Sequence, residues 1–222
     1  MKIYRYVLTV ICITCVMGSF IDARTQVFFS PDDQLTKKFV ELIRGARKTL
    51  IGAIYLISDK TIATEFVEAK KRGVDVKLVV DQMSIHNYGK ASMLAQSGID
   101  IFLYTPQAAT KDPQSATTKD PREFFNNDPI MHNKFLVVDN RVVWTGSFNW
   151  TVAANRKNQE NAILIDDREV CDKYSKQFNV LANSRCQRFK PDGKNITQED
   201  NCIDESDEYT SKCFLLDMNQ GA

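Results

Sequence analysis

A histidine and a lysine, His132 and Lys134, lie two residues apart at the start of an apolar run of the chain. Side chains alternate between the two faces of a β-strand, so these two would project from the same face. An imidazole and an ammonium group on one face can hold a single anion. Downstream, Gly146 permits a tight turn, and the short polar side chains of Ser147 and Asn149 can bond phosphate oxygens. This set of residue types predicts phosphodiester chemistry.

The spacing of these residues also carries a family resemblance. The pattern H-x-K-x4-D is present as His132, Lys134 and Asp139, the pattern G-S-x-N follows from Gly146 to Asn149, and Glu160 stands in the segment Asn-Gln-Glu-Asn. Together they resemble the phospholipase D superfamily, in the branch with one such motif per chain. That branch contains bacterial secreted endonucleases and phospholipases and their cardiolipin-hydrolase relatives. The resemblance covers roughly residues 26–181.

The resemblance implies a role for each motif residue. His132 would attack phosphorus and form a phosphohistidine that water then cleaves. Lys134 would neutralise phosphate oxygens, and the turn residues Gly146, Ser147 and Asn149 would bind the phosphate. Glu160 would accept a hydrogen bond from the second ring nitrogen of His132. Asp139 belongs to the catalytic motif, and its position in the turn after the strand favours a structural polar anchor.

One motif supplies a single histidine, whereas a two-step transfer needs a nucleophile and a general acid. The resemblance therefore implies a homodimer with a shared active site. No metal and no other cofactor are expected, because cationic side chains neutralise the phosphate. Phospholipid and nucleic acid present the same phosphodiester, and the sequence leans to phospholipid, with endonuclease as the alternative. A phosphate-binding module without catalysis is disfavoured by the complete motif.

Alternating strand and helix patterns predict the fold class. Apolar, β-branched segments predict strands over residues 26–29, 49–57, 74–80, 99–104, 134–138, 142–145 and 162–165. Helical spacing predicts a helix that begins after Pro31 and further helices over residues 59–72, 86–96 and 167–181. This alternation predicts an α/β fold with a mixed, mostly parallel sheet and helices on both faces. Residues 104–131 lack periodicity and contain Phe124 and Phe125, which indicates a long loop that lies over a site or contacts lipid.

Charge divides the chain into regions. Residues 24–190 contain 25 basic and 19 acidic residues, a net charge of +6, which suits an anionic substrate. Residues 191–222 contain 2 basic and 8 acidic residues, a net charge of −6. We therefore expect a catalytic domain over residues 24–190, followed by an acidic, cysteine-containing tail over residues 191–222.

The N-terminal segment predicts export. Lys2 and Arg5 precede an apolar run over residues 7–21, and Ala23 offers a small residue for cleavage, as in a secretory signal peptide over residues 1–23. An uncleaved membrane anchor is the alternative. Four cysteines then remain, and an oxidising compartment would favour disulfides over a metal site or free thiols. These cysteines are Cys171, Cys186, Cys202 and Cys213.

Overall fold

The computed structural model describes residues 24–85, 88–105 and 129–190 of the chain. Within them, the strands are β1 (Arg24–Ser30), β2 (Thr49–Ile54), β3 (Asp75–Val80), β4 (Asp100–Tyr104), β5 (Lys134–Val138), β6 (Val142–Gly146), β7 (Glu160–Asp166) and β8 (Cys186–Arg188). The helices are α1 (Leu35–Gly45), α2 (Lys60–Lys71), α3 (Ala91–Gln96), α4 (Val152–Arg156) and α5 (Arg168–Ser184). A short 3₁₀ turn, Gln82–Ser84, follows β3.

The strands form one eight-stranded mixed sheet in the order β1-β7-β6-β5-β2-β3-β4-β8. This confirms the α/β class. The expectation of mostly parallel pairing was wrong, since only β2-β3 and β3-β4 pair in parallel and the other described pairings are antiparallel. The reason lies in the connection between β5 and β6, a tight turn at Asp139 and Asn140 with φ near +50° at both residues. Such a turn joins antiparallel strands, whereas a parallel pair needs a long crossover.

Helices cover both faces of the sheet, as predicted. On one face, α1, α2 and α3 pack on strand residues that include Leu136 and Val138 of β5. On the other face, α5 packs on residues that include Phe135 and Val137 of the same strand. Because every residue of β5 is buried, this strand forms the middle of the core, and its ends are held rigidly.

Most predicted elements are present, with shifted ends. The third helix begins at Ala91 instead of residue 86, and the second strand ends at Ile54 instead of residue 57. Asp59, predicted to begin α2, is its N-cap and accepts a hydrogen bond from the backbone N–H of Thr61 at 2.8 Å. The short elements α4 and β8 were not predicted, because five and three residues are too few for a periodic pattern. In the described ranges, no helix is both long and apolar enough to cross a bilayer.

The topology gathers the motif residues at one edge of the sheet. β5 runs antiparallel to β2 and β6, so β5 begins where β2 and β6 end. β7 is antiparallel to β6 and β1, so Glu160 at its start pairs with Ser30 at the end of β1. We call this the His132 edge, the edge at which β5 and β7 begin and β1, β2, β3 and β6 end.

Candidate active site

His132 and Lys134 share a contact with the ring of Tyr55, which follows β2. The rings of His132 and Tyr55 lie edge to face with their centroids 4.7 Å apart. The ammonium nitrogen of Lys134 lies 5.2 Å from the centroid of the Tyr55 ring. It also donates a hydrogen bond of 2.7 Å to the backbone carbonyl of His132. The predicted common side of the two motif residues is therefore present, and Tyr55 lies against both.

Lys134 is a buried cation, with 7% of its surface exposed, whereas His132 is exposed. Burial lowers the pKa of Lys134, and the negative charge of Glu160 acts in the opposite direction. Lysine is seldom buried without a partner, and no carboxylate forms an ion pair with Lys134 among the described residues. The site thus holds a desolvated positive charge beside an exposed imidazole, an arrangement suited to a bound anion.

Ser147 and Glu160 form a bonded pair at the same edge of the sheet. The hydroxyl of Ser147 donates to one carboxylate oxygen of Glu160 at 2.6 Å, and the side-chain amide of Asn158 donates to the other at 3.0 Å. The Ser147 hydroxyl also accepts a bond from the backbone N–H of Asn161 at 3.0 Å. Ser30 accepts from the backbone N–H of Glu160 at 3.2 Å. These bonds fix the position of the Glu160 side chain near Lys134, on whose pKa it acts.

Gly146 allows β6 to end directly against β7. Its φ is +149°, and a Cβ atom there would lie 2.3 Å from the backbone oxygen of Asn161, closer than any side chain tolerates. A substitution would therefore push the turn that carries Ser147 away from β7. The predicted role of Gly146 as the residue that brings this turn close is consistent with its geometry.

Buried aromatic rings anchor the turn after Gly146. Phe148 and Trp150 are 1% and 0% exposed and pack with Phe39 at centroid distances of 6.5 and 4.9 Å. They are core residues. Asn149 stands between them, and its buried side-chain oxygen has no hydrogen-bond partner among the described residues. A buried polar atom without a partner, two residues after Ser147 in the chain, is consistent with a group that bonds a ligand.

Asp81, which follows β3, supports the segment before His132. Its carboxylate accepts hydrogen bonds from the backbone N–H groups of Met131 at 3.0 Å and Met83 at 3.1 Å. Asp81 also raises the pKa of the Tyr55 hydroxyl, after the larger effect of burial. Tyr55 and Asp81 were missed by the sequence reasoning. The available signal was their position after two adjacent parallel strands, where ligands commonly bind.

Two expectations differ from the arrangement found. The carboxylate of Glu160 is bonded to Ser147 and Asn158, and no hydrogen bond joins it to His132 in the described part of the chain. Asp139 lies at the opposite end of β5 from Lys134. Its carboxylate accepts bonds from the backbone N–H groups of Arg47, Lys48 and Thr49 at 2.7 to 2.9 Å. Asp139 thus lies apart from the other motif residues, and its interpretation as a polar anchor fits these contacts. Its membership of the catalytic set stays a prediction.

Other predicted features are tested only in part. Phe124, Phe125, Cys202 and Cys213 lie outside the described residues, as do the segments 1–23 and 191–222. Cys171 is a free, buried thiol, and burial raises its pKa to about 11. The described residues contain no group of three or more His, Cys, Asp or Glu side chains placed to hold a metal ion. The absence of a metal and the disulfides both stay predictions.

Comparison with known sequences identifies relatives. The family model described as "Cardiolipin synthase, PLD-like domain" matches residues 39–182. "Phospholipase D" of Rickettsia typhi is 32% identical over 147 residues, which are 66% of this chain and 62% of that protein. "Mitochondrial cardiolipin hydrolase" of Xenopus tropicalis is 30% identical over 150 residues, 67% of this chain and 61% of that protein. The chain thus spans a little under two thirds of the length of these relatives.

Comparison with solved structures points to the same family. The structure of Nuc from Salmonella typhimurium, described as a phospholipase D family member, matches with a TM-score of 0.62 and 29% identity over 76% of this chain and 99% of that one. NucT from Helicobacter pylori matches in fold, with a TM-score of 0.63 and 24% identity over 76% of this chain and 100% of that one. With the family model covering more than half of its length, the chain belongs to the phospholipase D superfamily.

Proposed function

We propose that this protein is a phosphodiesterase that acts through a phosphohistidine intermediate at His132. The observation that carries the proposal is the meeting of an exposed imidazole, a buried and unpaired ammonium group and the Ser147–Glu160 pair at one edge of the sheet. A phosphodiester resists attack because its oxygens are anionic. Lys134 offers the charge that offsets this repulsion, and Ser147 and Asn149 offer hydrogen bonds to the phosphate oxygens.

The reaction would proceed in two steps, formation of the phosphohistidine and its hydrolysis. A ring nitrogen of His132 attacks phosphorus, the bond from phosphorus to the leaving oxygen breaks, and an acid protonates the departing alkoxide. Water then attacks phosphorus, the phosphorus–nitrogen bond breaks, and the base formed in the first step removes the proton of the water. Tyr55 and Glu160 would hold the reactive groups in position.

The acid in the first step would be His132 of a second chain in a homodimer. One chain supplies one motif histidine, and a two-fold axis at the His132 edge would bring two together. Sedimentation of the purified protein should show a dimer. Wild-type chains mixed with an excess of His132→Ala chains should lose activity out of proportion to dilution, and a fully active monomer would refute the shared site.

Phospholipid is the favoured substrate class. The relatives named above as phospholipase D and cardiolipin hydrolase support it. The strand β1 supports it too. Its apolar side chains Val27 and Phe29 are 50% and 58% exposed, and Phe29 precedes Ser30, which lies at the His132 edge. An exposed apolar strip beside a phosphate site suits a substrate with acyl chains. The alternative is an endonuclease, supported by the net charge of +6 over residues 24–190.

One comparison tests the proposal directly. Wild-type protein and His132→Asn should be assayed in chelator against phosphatidylcholine vesicles, single-stranded DNA and bis(p-nitrophenyl) phosphate. We expect wild-type turnover of the small diester and the lipid, and a loss of about 10⁴-fold or more in the variant. Because His132 is exposed, the variant should unfold at the same temperature as wild type. Substantial residual turnover would refute the role of His132 as nucleophile, and activity on DNA alone would favour the endonuclease.

The cellular location is part of the proposal. Export by a cleaved segment over residues 1–23 would place the cysteines in an oxidising compartment. N-terminal sequencing and intact mass of material made in its native host should show a start near residue 24. A retained N-terminus would favour the anchor instead.

A further inference from the structure

A short turn between β3 and α3 is bonded to the chain on both sides of His132. It consists of Asp81 and the 3₁₀ turn Gln82–Ser84, and we call it the Asp81 turn. Two of its polar side chains are nearly inaccessible to solvent, Asp81 at 5% exposure and Ser84 at 0%. Burying a polar side chain is costly unless it is hydrogen-bonded, so the partners of these two show what the turn holds in place.

Asp81 holds the residue before His132. One of its carboxylate oxygens accepts the backbone N–H of Met131 at 3.0 Å, in a buried bond between residues 50 positions apart. The other oxygen accepts the N–H of Met83 at 3.1 Å and so caps the 3₁₀ turn. The backbone N–H of Asp81 donates to the carbonyl of Ile54 at 3.3 Å. Met131 is thus bonded to a carboxylate whose own backbone is anchored on the neighbouring strand β2.

Ser84 holds the other side of His132 through Tyr55. Its hydroxyl donates to the backbone carbonyl of Tyr55 at 3.0 Å and accepts the N–H of Ile57 at 3.1 Å. The backbone N–H of Tyr55 in turn donates to the carbonyl of Asn133 at 3.0 Å. The residues on both sides of His132 are therefore connected to one turn.

The side chain of His132 depends on these connections for its orientation. Among the described residues its ring makes no hydrogen bond, and it lies against the ring of Tyr55 with the centroids 4.7 Å apart. The residue is exposed, so packing does not enclose it. Its backbone and the Tyr55 ring therefore direct the imidazole, and the Asp81 turn is bonded to both. A displacement of about 1 Å at a reacting group lowers a rate by about 10²-fold.

We propose that Asp81 and Ser84 are positioning residues, which hold the imidazole of His132 in the orientation that attacks phosphorus. The inference rests on the proposed reaction and adds the groups that orient its nucleophile. Both side chains are directed to backbone groups of the protein and not to the substrate. In the proposed reaction the phosphate oxygens are bound by Lys134, Ser147 and Asn149. The Asp81 turn therefore governs the rate of attack and not the affinity for the diester.

The test separates the rate of attack from affinity. Asp81→Ala, Asp81→Asn and Ser84→Ala are assayed on bis(p-nitrophenyl) phosphate well below their unfolding temperatures. We expect kcat to fall about 10²-fold in Asp81→Ala, with KM within about twofold of wild type. Asp81→Asn keeps one acceptor oxygen and should recover part of that loss, to about tenfold below wild type. A rise in KM with kcat preserved would overturn the positioning role.

Ser84→Ala separates hydrogen bonding from charge. Asp81 also raises the pKa of the Tyr55 hydroxyl, after the larger effect of burial, so its removal changes the local charge as well. Ser84 carries no charge, and its substitution should still lower kcat about tenfold with KM unchanged. This variant carries the test if Asp81→Ala does not fold. An unchanged kcat in Ser84→Ala would overturn the proposal.

The matched controls remove the same kinds of side chain far from His132. Asp167→Ala removes the aspartate that caps α5 by accepting the N–H of Val170 at 3.1 Å, and Ser175→Ala removes a buried serine of the same helix. Asp167→Ala should lower the unfolding temperature, because a cap is lost. Both controls should keep kcat within about twofold of wild type. A fall in kcat equal to that in the variants of the Asp81 turn would make the effect one of general stability and would refute the proposal.

A spectroscopic measurement separates this inference from the proposed reaction. The Tyr55 ring, edge to face with His132, shifts the imidazole proton signals of His132, which are identified by their absence in His132→Asn. These signals should move in Asp81→Asn and Ser84→Ala and stay in place in Asp167→Ala. If wild type hydrolyses no diester but the signals move, the reaction assignment fails and the positioning role stands. If wild type is active and the signals stay in place in the variants of the turn, only the positioning role fails.

Discussion

The two ends of β5 carry side chains of opposite charge, and these side chains differ in how well they are hydrogen-bonded. At one end Lys134 is 7% exposed, and among the described residues its ammonium group donates a single hydrogen bond, to a carbonyl. At the other end the carboxylate of Asp139 accepts three backbone N–H groups. The strand between them is wholly buried, so both ends are fixed by the same core. Lys134 thus has no carboxylate partner among the described residues, whereas the carboxylate of Asp139 is held by three backbone N–H groups.

The pKa values of Lys134 and Asp139 are both lowered, which disfavours the charged form of the lysine and favours that of the aspartate. Burial lowers the pKa of Lys134, which means that the fold disfavours its charged form. For Asp139, burial acts to raise the pKa, but the bonds from Thr49, Arg47 and Lys48 outweigh it and favour the charged form. Lys134 therefore reduces stability at neutral pH, and Asp139 adds to it. The destabilised charge lies at the end of the strand that would act on the substrate in the proposed reaction.

Among the substitutions at the two ends of β5, Lys134→Met should have the largest effect on activity. The substitution removes the buried charge and keeps an unbranched apolar chain of similar length. We expect kcat on bis(p-nitrophenyl) phosphate to fall about 10²-fold or more, as when a preorganised charge stabiliser is lost. The free energy of unfolding in urea should not fall, because a buried charge without a carboxylate partner is replaced by an apolar group.

A change in KM alone, with kcat preserved, would make Lys134 a binding residue. Loss of stability together with activity would mean that the ammonium group supports the fold, and the contrast between the two ends would collapse. Lys173→Met on the exposed surface of α5 is the control for the loss of a lysine and should leave kcat unchanged.

Asp139→Ala should show the reverse pattern. Three backbone N–H groups lose their acceptor, and alanine is strained at the φ of +52° found here. We expect the free energy of unfolding to fall by about 1–3 kcal/mol, with kcat within about twofold of wild type. Asp139→Asn, which keeps an acceptor oxygen and tolerates this φ, should lose less.

The pH dependence of that loss checks its cause. The folded pKa of Asp139 is below the unfolded value of about 3.9, so its contribution is present above this value and disappears as pH falls through the folded pKa. The difference in stability between wild type and Asp139→Asn should therefore shrink at acid pH. A large drop in kcat at neutral pH would restore Asp139 to the catalytic residues.

The sequence predicted the bounds of β5, Lys134–Val138, for a physical reason. A short run of β-branched and aromatic residues after His132 and Lys134 can hardly adopt another structure, and strand alternation then fixes the common side of the two. The turn after Val138 and the glycine at 146 are likewise local features. Local features of this kind can be inferred from neighbouring residues alone.

Contacts between distant segments could not be predicted in the same way. Tyr55 meets His132 only because β2 and β5 are neighbours, and the sequence did not fix the strand order. The bonding of Glu160 to Ser147 and Asn158, instead of to His132, depends on side-chain rotamers across three segments. Whether two strands pair parallel or antiparallel depends on where the chain turns back between them. The alternation of strands and helices does not show this, and the prediction of mostly parallel pairing was therefore wrong.

Tyr55 offers a smaller test of the same edge. Tyr55→Leu removes the ring that contacts both His132 and Lys134, and kcat should fall about tenfold through loss of positioning, with KM little changed. Tyr55→Phe keeps the ring and should restore activity to within about threefold of wild type. A loss in Tyr55→Phe equal to that in Tyr55→Leu would point to the hydroxyl as the active group and would overturn the positioning role.

Glu160→Gln should produce the smallest effect, a shift in pH dependence, measured separately from any change in maximal rate. Glu160 raises the pKa of Lys134 against the larger effect of burial. Without that negative charge the pKa of Lys134 falls further, and the ammonium form is lost at a lower pH as the solution becomes alkaline. The alkaline limb of the normalised pH profile of kcat/KM should therefore move to lower pH. Glu169→Gln, on the exposed surface of α5, should leave the limb in place. A shift to higher pH, or none, would show that Lys134 does not govern that limb and that the buried cation at this end of β5 is not the one that acts on the phosphate.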